Sequence, residues 1–293
     1  MNDYFLNVID NVLLCRNTFK VRVQVYKIKS PLKRGFIKLK EAIIFLHGVV
    51  GNKSAFKTEI DRLKDKYNCI AYDYYNSENL GADCPFSLEL LLQQLYDQYK
   101  RNGIQKAHLC TLSFGCIVAM AFNKKYPEMV MSLTFVGGYF CNALSKLNTI
   151  QIQLLNEKPQ YDYKAWLKRY AAAMNPNKKQ IQENSEAIFV KNALLLHPNV
   201  FEKAVRVQFE YDSRVDLMNV KSPILWVMGE YDELYKETLA DLEQYVPHVE
   251  YHELQNAGHV AHIHQPDQFM SIFQPFLKKV SNQRSLALEL IEI

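Results

Sequence analysis

Long apolar runs are missing from this chain of 293 residues. Its longest apolar stretches have only the length of a β-strand, far below the roughly 18 residues that a transmembrane helix needs. The N-terminus also lacks the basic start and apolar run of a signal peptide, since Asp3 and Asp10 fall within it. These absences predict a cytoplasmic protein that makes no membrane contact.

Paired cysteines and a strong net charge are missing as well. The six cysteines form no CxxC pair, so we interpret them as reduced, buried thiols. A net charge of +4 is too small to indicate a nucleic-acid partner. The one basic cluster, from Lys27 to Lys40, is typical of a solvated loop, and it would also suit an acidic carrier protein that delivers a substrate.

The chain does contain a regular alternation of strand-length and helix-length apolar patterns. The predicted strands are Thr18–Ile28, Ala42–Leu46, Cys69–Tyr72, Ala107–Leu112, Met131–Val136, Ile224–Met228 and Val249–Leu254. The predicted helices of this alternating part are Ser54–Lys66, with Ser54 as its cap, Ser87–Asn102, Phe114–Tyr126, Leu234–Tyr245 and Pro266–Lys279. This rhythm predicts an α/β fold with a mostly parallel central sheet flanked by helices.

The rhythm changes in the middle of the chain, where the periodicity becomes entirely helical. We expect a helical cap, or lid, of residues 140–212, inserted into a core that residues 1–139 and 213–293 form. In open α/β sheets the ligand lies at the carboxyl ends of the strands. A cap at that edge would therefore enclose a pocket.

Four short motifs follow predicted strands, and together they predict a nucleophilic site. Ser113 lies in Thr111-Leu112-Ser113-Phe114-Gly115, between a strand and a helix, which is the arrangement of a nucleophile elbow. After an earlier strand comes His47-Gly48-Val49, in which His47 is interpreted as a loop anchor. The backbone N–H groups of Val49 and Phe114 are candidate donors of an oxyanion hole.

The other two motifs supply a candidate acid and a candidate base. Asp232 follows a strand, and so does His259 further along the chain, which gives the order Ser, Asp, His. A lone aspartate there would more often be the cap of the next helix. Glu230 and Glu233 are the alternative acids.

These motifs resemble those of the α/β-hydrolase superfamily, in particular its lidded branch of serine esterases. The similar stretches are FLHGVVGNKSAF, LCTLSFGCIVAMAFNKKYPEMV, ILWVMGEYDEL and NAGHVAHIHQPDQF, and the likeness spans about residues 18 to 280. The resemblance implies a Ser113–His259–Asp232 triad, with Val49 and Phe114 as oxyanion donors. It also implies hydrolysis without a cofactor or metal.

Two departures from the family pattern change the surroundings of the site. Thr111 stands two residues before the nucleophile, where the family usually has glycine. The loop that begins at Asp73 continues Tyr74-Tyr75-Asn76-Ser77 and lacks the usual Arg-Gly turn. We expect altered packing at the elbow and an altered pocket rim.

Other side chains near these motifs allow rival interpretations. His259, His262 and His264 could suggest a metal site, but the last two precede a helix entry at Gln265-Pro266 and are better explained as polar residues at the pocket edge. Cys110 and Cys116 flank the elbow and are predicted to be core residues.

The predicted function is hydrolysis of a carboxylic ester or a lactone through an acyl-enzyme. Alternatives that remain are a thioesterase, a carrier-linked methyl esterase and a non-catalytic protein that binds a small molecule. The substrate is expected to carry an apolar or amphipathic acyl or alcohol group. The predicted pocket residues are Tyr139, Phe140, Trp166 and Tyr170, with Leu147, Met174 and Phe209 as further candidates.

Overall fold

The structure, a computed structural model, describes residues 40–74, 83, 86–140, 145–175, 181 and 185–289. Several sequence-based predictions concern residues outside this part of the chain. They are the strand Thr18–Ile28, all of the basic cluster before Lys40, the loop residues Tyr75 to Ser77, and the cysteines at positions 15, 84 and 141.

Within the described residues, six parallel strands form one sheet in the order β2-β1-β3-β4-β5-β6. The strands are β1 Ala42–Leu46, β2 Asn68–Ala71, β3 Ala107–Leu112, β4 Val130–Val136, β5 Ile224–Gly229 and β6 Glu250–Leu254. Every residue of β1, β3, β4 and β5 is buried. The predicted α/β fold with a parallel central sheet is thereby confirmed.

The two faces of the sheet bury separate hydrophobic layers, because side chains alternate along each strand. On β1, Ile43 and Phe45 belong to one layer and Ile44 and Leu46 to the other. The first layer includes side chains of the helices α1 Lys57–Leu63 and α12 Pro266–Glu289, and the second includes those of α2 Leu88–Arg101 and α3 Gly115–Lys125. Burial on both faces explains why the strand reads as a continuous apolar run.

The helices of this part begin and end at residues with the expected capping chemistry, with one correction. Ser87 caps α2 through a hydrogen bond from the Leu90 N–H, and Gly103 follows the helix with a φ of +62°. The helix predicted to start at Ser54 is instead a 3-10 turn, Lys53–Phe56, that leads into α1. Its cap is Asn52, whose side-chain oxygen accepts both the N–H and the hydroxyl of Ser54.

The described residues between β4 and β5 form five α-helices, which we call the helical insertion. They are α4 Lys146–Glu157, α5 Tyr163–Met174, α6 Ser185–Ala193, α7 Pro198–Val207 and α8 Ser213–Leu217. The insertion has an aromatic centre, in which Trp166 packs against Tyr170 and Phe201 and donates its indole N–H to the Leu154 carbonyl at 2.6 Å. The boundaries of the cap at residues 140 and 212 stay a prediction.

The last third of the core departs from the prediction in two places. The single helix expected over Leu234–Tyr245 is two short helices, α9 Glu233–Lys236 and α10 Leu242–Tyr245, with a 3-10 turn between them. The 3-10 turn is Glu237–Leu239, and Leu234, Leu239 and Leu242 are all buried. The short α11 Ala261–His264 precedes α12, which continues ten residues past the predicted end at Lys279, to Glu289. No helix in the described part of the chain is long and apolar enough to span a membrane.

Candidate active site

Ser113 lies on a sharp turn between β3 and α3 that holds it in a rare backbone conformation. Its φ is +49°, which is the left-handed region that non-glycine residues seldom adopt. The turn is fixed by a hydrogen bond from the Ser113 N–H to the Val136 carbonyl at 2.8 Å. Gly115 allows α3 to approach β1, because a Cβ there would lie 2.6 Å from the Leu46 carbonyl oxygen.

The threonine at the position where the family usually has glycine is accommodated by the neighbouring strand. Thr111 is fully buried, and its hydroxyl donates to the Thr134 carbonyl on β4 at 3.1 Å. The buried hydroxyl is therefore satisfied, and the elbow keeps its shape despite the β-branched side chain.

The structure brings Ser113, His259 and Asp232 together in one hydrogen-bonded chain. The His259 Nε2 lies 2.7 Å from the Ser113 Oγ, and its Nδ1 lies 2.9 Å from the Asp232 Oδ2. An ionised carboxylate only accepts hydrogen bonds, so Nδ1 carries the proton and Nε2 can accept the proton of the serine hydroxyl. The arrangement can convert Ser113 into a nucleophile.

The alternative acids turn away from His259. The Glu230 carboxylate accepts the Asn256 N–H at 2.8 Å, and Glu233 is exposed on α9. Asp232 occupies the cap position of α9, but its side chain makes no capping hydrogen bond there. Of the three carboxylates, only that of Asp232 is hydrogen-bonded to the imidazole.

Three contacts hold His259 and the backbone next to it in place. The ring of Tyr235 stacks on it at a centroid distance of 3.8 Å. Gly137, with a φ of +56°, passes so close that a Cβ would lie 2.5 Å from the His259 carbonyl oxygen. The preceding Gly258 N–H donates to the Nδ1 of His264 at 3.0 Å. Packing of this kind fixes the orientation that a general base needs.

The other histidines around the site have structural partners. In His47 the Nε2 accepts the Tyr74 N–H, and the Nδ1 donates to the Gly48 carbonyl at 2.7 Å. Burial lowers the pKa of His47 to about 4, so this anchor of the Gly48-Val49 loop is neutral. His262 donates to the Ala55 carbonyl at 3.1 Å, and the Nε2 of His264 donates to the Ser185 Oγ at 2.9 Å. Among the described residues no group of three or more histidine, cysteine or acidic side chains could hold a metal ion.

A cavity of about 360 Å³ opens above Ser113, between the sheet edge and the helical insertion. Val49 and Phe114, the candidate oxyanion donors, line it beside Ser113 and His259. From the other side it is lined by Tyr139 and by side chains of the insertion, including Tyr170, Met174 and Phe189. Tyr139 and Tyr170 therefore line this cavity, and their role in substrate binding stays a prediction.

The prediction that Phe140 and Trp166 line the cavity is wrong. Phe140 packs edge-on against Trp226 and Tyr245, and its N–H donates to the Thr238 hydroxyl, so it belongs to the core. Trp166 is buried in the centre of the insertion. Leu147 and Phe209 are likewise not part of the lining.

The sequence matches the family model described as the alpha/beta hydrolase family over residues 43–272, which is most of the chain. The chain belongs to the alpha/beta hydrolase family. The matched range includes Ser113, Asp232 and His259.

Two relatives are similar to this chain in sequence, and one solved structure is similar to it in fold. Lipase 1 of Psychrobacter immobilis is 24% identical over 83% of this chain and 79% of its own. The 3-oxoadipate enol-lactonase 1 of Acinetobacter baylyi is 21% identical over 82% of this chain and 89% of its own. The esterase of Exiguobacterium antarcticum has a similar fold, with a TM-score of 0.69, 14% identity, and coverage of 82% of this chain and 92% of its own. The family and these relatives support a hydrolase.

Two glutamines and a tyrosine of the cavity wall are absent from the pocket residues that the sequence predicts. Gln151, Gln208 and Tyr235 all line the cavity. The glutamines occupy positions in two apolar stripes, Leu147–Gln151–Leu154 on α4 and Phe201–Val205–Gln208 at the end of α7. A polar residue on an inward-facing stripe was the available signal, because buried amides need specific partners.

Proposed function

We propose that the protein is a serine hydrolase that cleaves a carboxylic ester through an acyl-enzyme, with Ser113 as the nucleophile. The observation that carries the proposal is the hydrogen-bond chain from the Asp232 Oδ2 through His259 to the Ser113 Oγ. This chain ends inside the cavity, at a serine whose backbone is held in the left-handed region. Such strain is typical of functional positions.

In the first half of the reaction the Ser113 Oγ attacks the acyl carbon while the His259 Nε2 accepts the hydroxyl proton. The bond from Nδ1 to the Asp232 carboxylate stabilises the resulting imidazolium and holds its orientation. The N–H groups of Val49 and Phe114 would receive the developing oxyanion, at about 3 kcal/mol of transition-state stabilisation for each donor. His259 then gives its proton to the leaving alcohol, and the acyl group stays on Ser113.

In the second half water replaces the alcohol. The neutral His259 accepts a proton from the water, whose oxygen attacks the acyl carbon, and the same proton returns to the Ser113 Oγ as the acid leaves. The sum is one ester and one water converted into an acid and an alcohol. Every proton moves through the one imidazole nitrogen that faces Ser113.

The cavity supports an ester with a medium-sized apolar part. Its volume of about 360 Å³ lies at the lower end of the range of small-molecule pockets, about 300 to 1,000 Å³. The apolar residues of its wall include Val49, Phe114, Met174 and Phe189. The names lipase and enol-lactonase of two relatives fit the same bond class, an ester or its cyclic form.

Intact-mass labelling with a small fluorophosphonate tests this proposal on wild type, Ser113→Ala and Ser132→Ala. Ser132 is a matched control, because its hydroxyl also pairs with a histidine, His108, at 2.7 Å, but it is fully buried and lies outside the cavity lining. We expect one adduct on wild type and on Ser132→Ala and none on Ser113→Ala, with the same pattern in hydrolysis of 4-nitrophenyl esters. A folded wild-type protein that gains no adduct and hydrolyses no ester would contradict the proposal.

A further inference from the structure

Four polar side chains form a continuous chain in the wall of the cavity. The Tyr139 hydroxyl donates to the Gln208 Oε1, the Gln208 Nε2 donates to the Gln151 Oε1 at 2.8 Å, and the Gln151 Nε2 donates to the Tyr170 hydroxyl at 3.0 Å. All four residues line the cavity, and each is at most 3% exposed. We call this set the Tyr-Gln-Gln-Tyr chain.

The Tyr-Gln-Gln-Tyr chain holds more donors than it uses. The Tyr170 oxygen accepts from Gln151, so its own O–H proton is left for another acceptor, and each amide keeps a second N–H. Within the described part of the chain, no protein acceptor is bonded to the Tyr170 proton or to either of these second N–H groups. Donors buried in a cavity wall without acceptors favour a ligand that supplies one.

One end of the Tyr-Gln-Gln-Tyr chain lies beside the proposed base. The Tyr139 ring meets the Tyr235 ring edge-on at 5.2 Å, and Tyr235 stacks on His259. The other three members come from the helical insertion, on α4, on α5 and just after α7. The set therefore runs along the cavity from the reacting centre towards the place where the rest of a bound ester would lie.

None of these four side chains is charged, which limits the kind of group they suit. A carboxylate or phosphate brought against neutral donors would lose its hydration without gaining an opposite charge. Lys57, a cationic residue of the cavity lining, is exposed and paired with Asp61 at 2.9 Å. An uncharged oxygen avoids that desolvation cost and still accepts the spare donors.

We propose that the Tyr-Gln-Gln-Tyr chain is a specificity element that binds an uncharged acceptor oxygen, as in an oxo, hydroxyl or ether group, on the acyl part of the ester. The preferred substrates are then oxygen-substituted esters rather than plain alkyl esters. A plain alkyl group would displace water from the donors and leave them unpaired, which weakens its transition-state binding. The inference rests on the proposed ester hydrolysis at Ser113.

The kinetic test compares 4-nitrophenyl hexanoate with its analogues that carry one oxo group at successive chain positions. For wild type we expect one oxo position to raise kcat/KM about tenfold over the alkyl ester, the worth of one neutral hydrogen bond. In Tyr170→Phe and in Gln151→Met the ratio should fall towards one. Tyr163→Phe is the matched control on the same helix, because its hydroxyl lies outside this cavity, and it should keep the wild-type ratio.

Binding of the same ester pairs to Ser113→Ala, measured by calorimetry, separates this inference from the proposed function. We expect Ser113→Ala to bind one oxo ester more tightly than the alkyl ester, and the double variant Ser113→Ala/Tyr170→Phe to lose this preference. That result supports the inference even if wild type hydrolyses no ester and the proposed function fails. The inference is overturned if no oxo ester is preferred in either measurement, or if Tyr170→Phe and Gln151→Met keep the preference.

Discussion

At the scale of the residue, the side chain of Asp232 bonds to His259 instead of capping the helix that follows it. It occupies the position that caps α9, where an aspartate would normally accept a backbone N–H. Instead its buried carboxylate accepts a hydrogen bond from the Nδ1–H of His259. The start of α9 gives up a capping bond, and the imidazole gains a fixed tautomer.

Replacing this carboxylate tests its role directly. We expect Asp232→Asn to lower kcat for the best 4-nitrophenyl ester by about 10⁴, since an amide can favour the wrong tautomer of the histidine. Glu230→Gln is the matched control, because the Glu230 side chain accepts the Asn256 N–H and does not touch His259. Full activity of Asp232→Asn would remove Asp232 from the mechanism and turn attention to Glu233.

Two glycines with similar backbone angles allow the cost of a positive φ to be measured apart from the cost of a steric collision. Gly137 and Gly103 have φ of +56° and +62°, but a Cβ would collide with His259 only at Gly137, and would meet nothing within 4 Å at Gly103. We expect Gly103→Ala to lower the free energy of unfolding by about 1 kcal/mol without changing kcat/KM. Gly137→Ala should lower the free energy of unfolding by more than this and also lower kcat/KM, because the new Cβ would displace His259, the proposed base. Urea unfolding and ester kinetics on both variants check this, and equal kinetic effects would contradict it.

At the scale of the element, α6 of the helical insertion is hydrogen-bonded to the loop that carries His259, the proposed base. The Ser185 hydroxyl pairs with the His264 Nε2, and the Nδ1 of the same ring accepts the Gly258 N–H next to His259. One imidazole therefore connects the insertion with the loop of His259. We therefore expect movement of α6 to be transmitted to the backbone beside His259.

Removing the hydrogen bond between Ser185 and His264 should increase local opening of the loop at residues 258–263 more than it lowers the stability of the whole fold. We expect Ser185→Ala to raise hydrogen exchange at residues 258–263 and to lower kcat/KM, with a loss of about 1 kcal/mol in stability. Ser145→Ala also removes a serine hydroxyl from the insertion, but that hydroxyl caps α4 by accepting the Asn148 N–H. Its stability loss should be similar, with unchanged exchange at the loop. Equal exchange in the two variants would show that the connection is not specific.

The same scale shows how far the sequence predicts the structure. The strand Ala42–Leu46 was predicted with its observed bounds, because burial on both faces makes an apolar run that only a central strand explains. Phe140 and Trp166 were placed wrongly because apolarity alone does not tell a cavity wall from the core beneath it. The sequence does not predict Gln151 and Gln208 as cavity residues, because these two side chains are hydrogen-bond partners that lie 57 residues apart in the chain. Periodicity predicts which face is buried, and only the packed helices decide which buried residues meet a cavity.

At the scale of the whole molecule, buried ionisable groups set how stability depends on pH. Burial lowers the pKa of His47 and His264 to about 4 and that of His262 to about 3. A histidine with a lowered pKa stabilises the fold above its unfolded value near 6.5, and this contribution is lost as the pH falls towards the folded value. Glu59 acts in the opposite sense, because burial raises its pKa to about 7.

We therefore expect the free energy of unfolding to fall between pH 7.5 and pH 5. The three histidines each lose stabilisation over this range. Protonation of Glu59 stabilises the fold by on the order of 2 kcal/mol, which offsets only part of that loss. Glu59→Gln should make the fall steeper, since it removes the group that opposes it. Urea unfolding of both proteins at the two pH values measures the difference. A wild-type protein that becomes more stable at pH 5 would contradict this account.

At Ser113 the left-handed backbone conformation favours glycine for stability, whereas the proposed reaction requires the serine hydroxyl. Glycine adopts that conformation without penalty, so a change of Ser113 to glycine would relieve local strain of about 1–2 kcal/mol. Selection for thermal endurance alone would favour losing the hydroxyl on which the proposed chemistry depends. A lineage that kept the sheet but abandoned the reaction would be expected to drift at this position first, and to keep Gly115, whose small size the packing of α3 on β1 still requires.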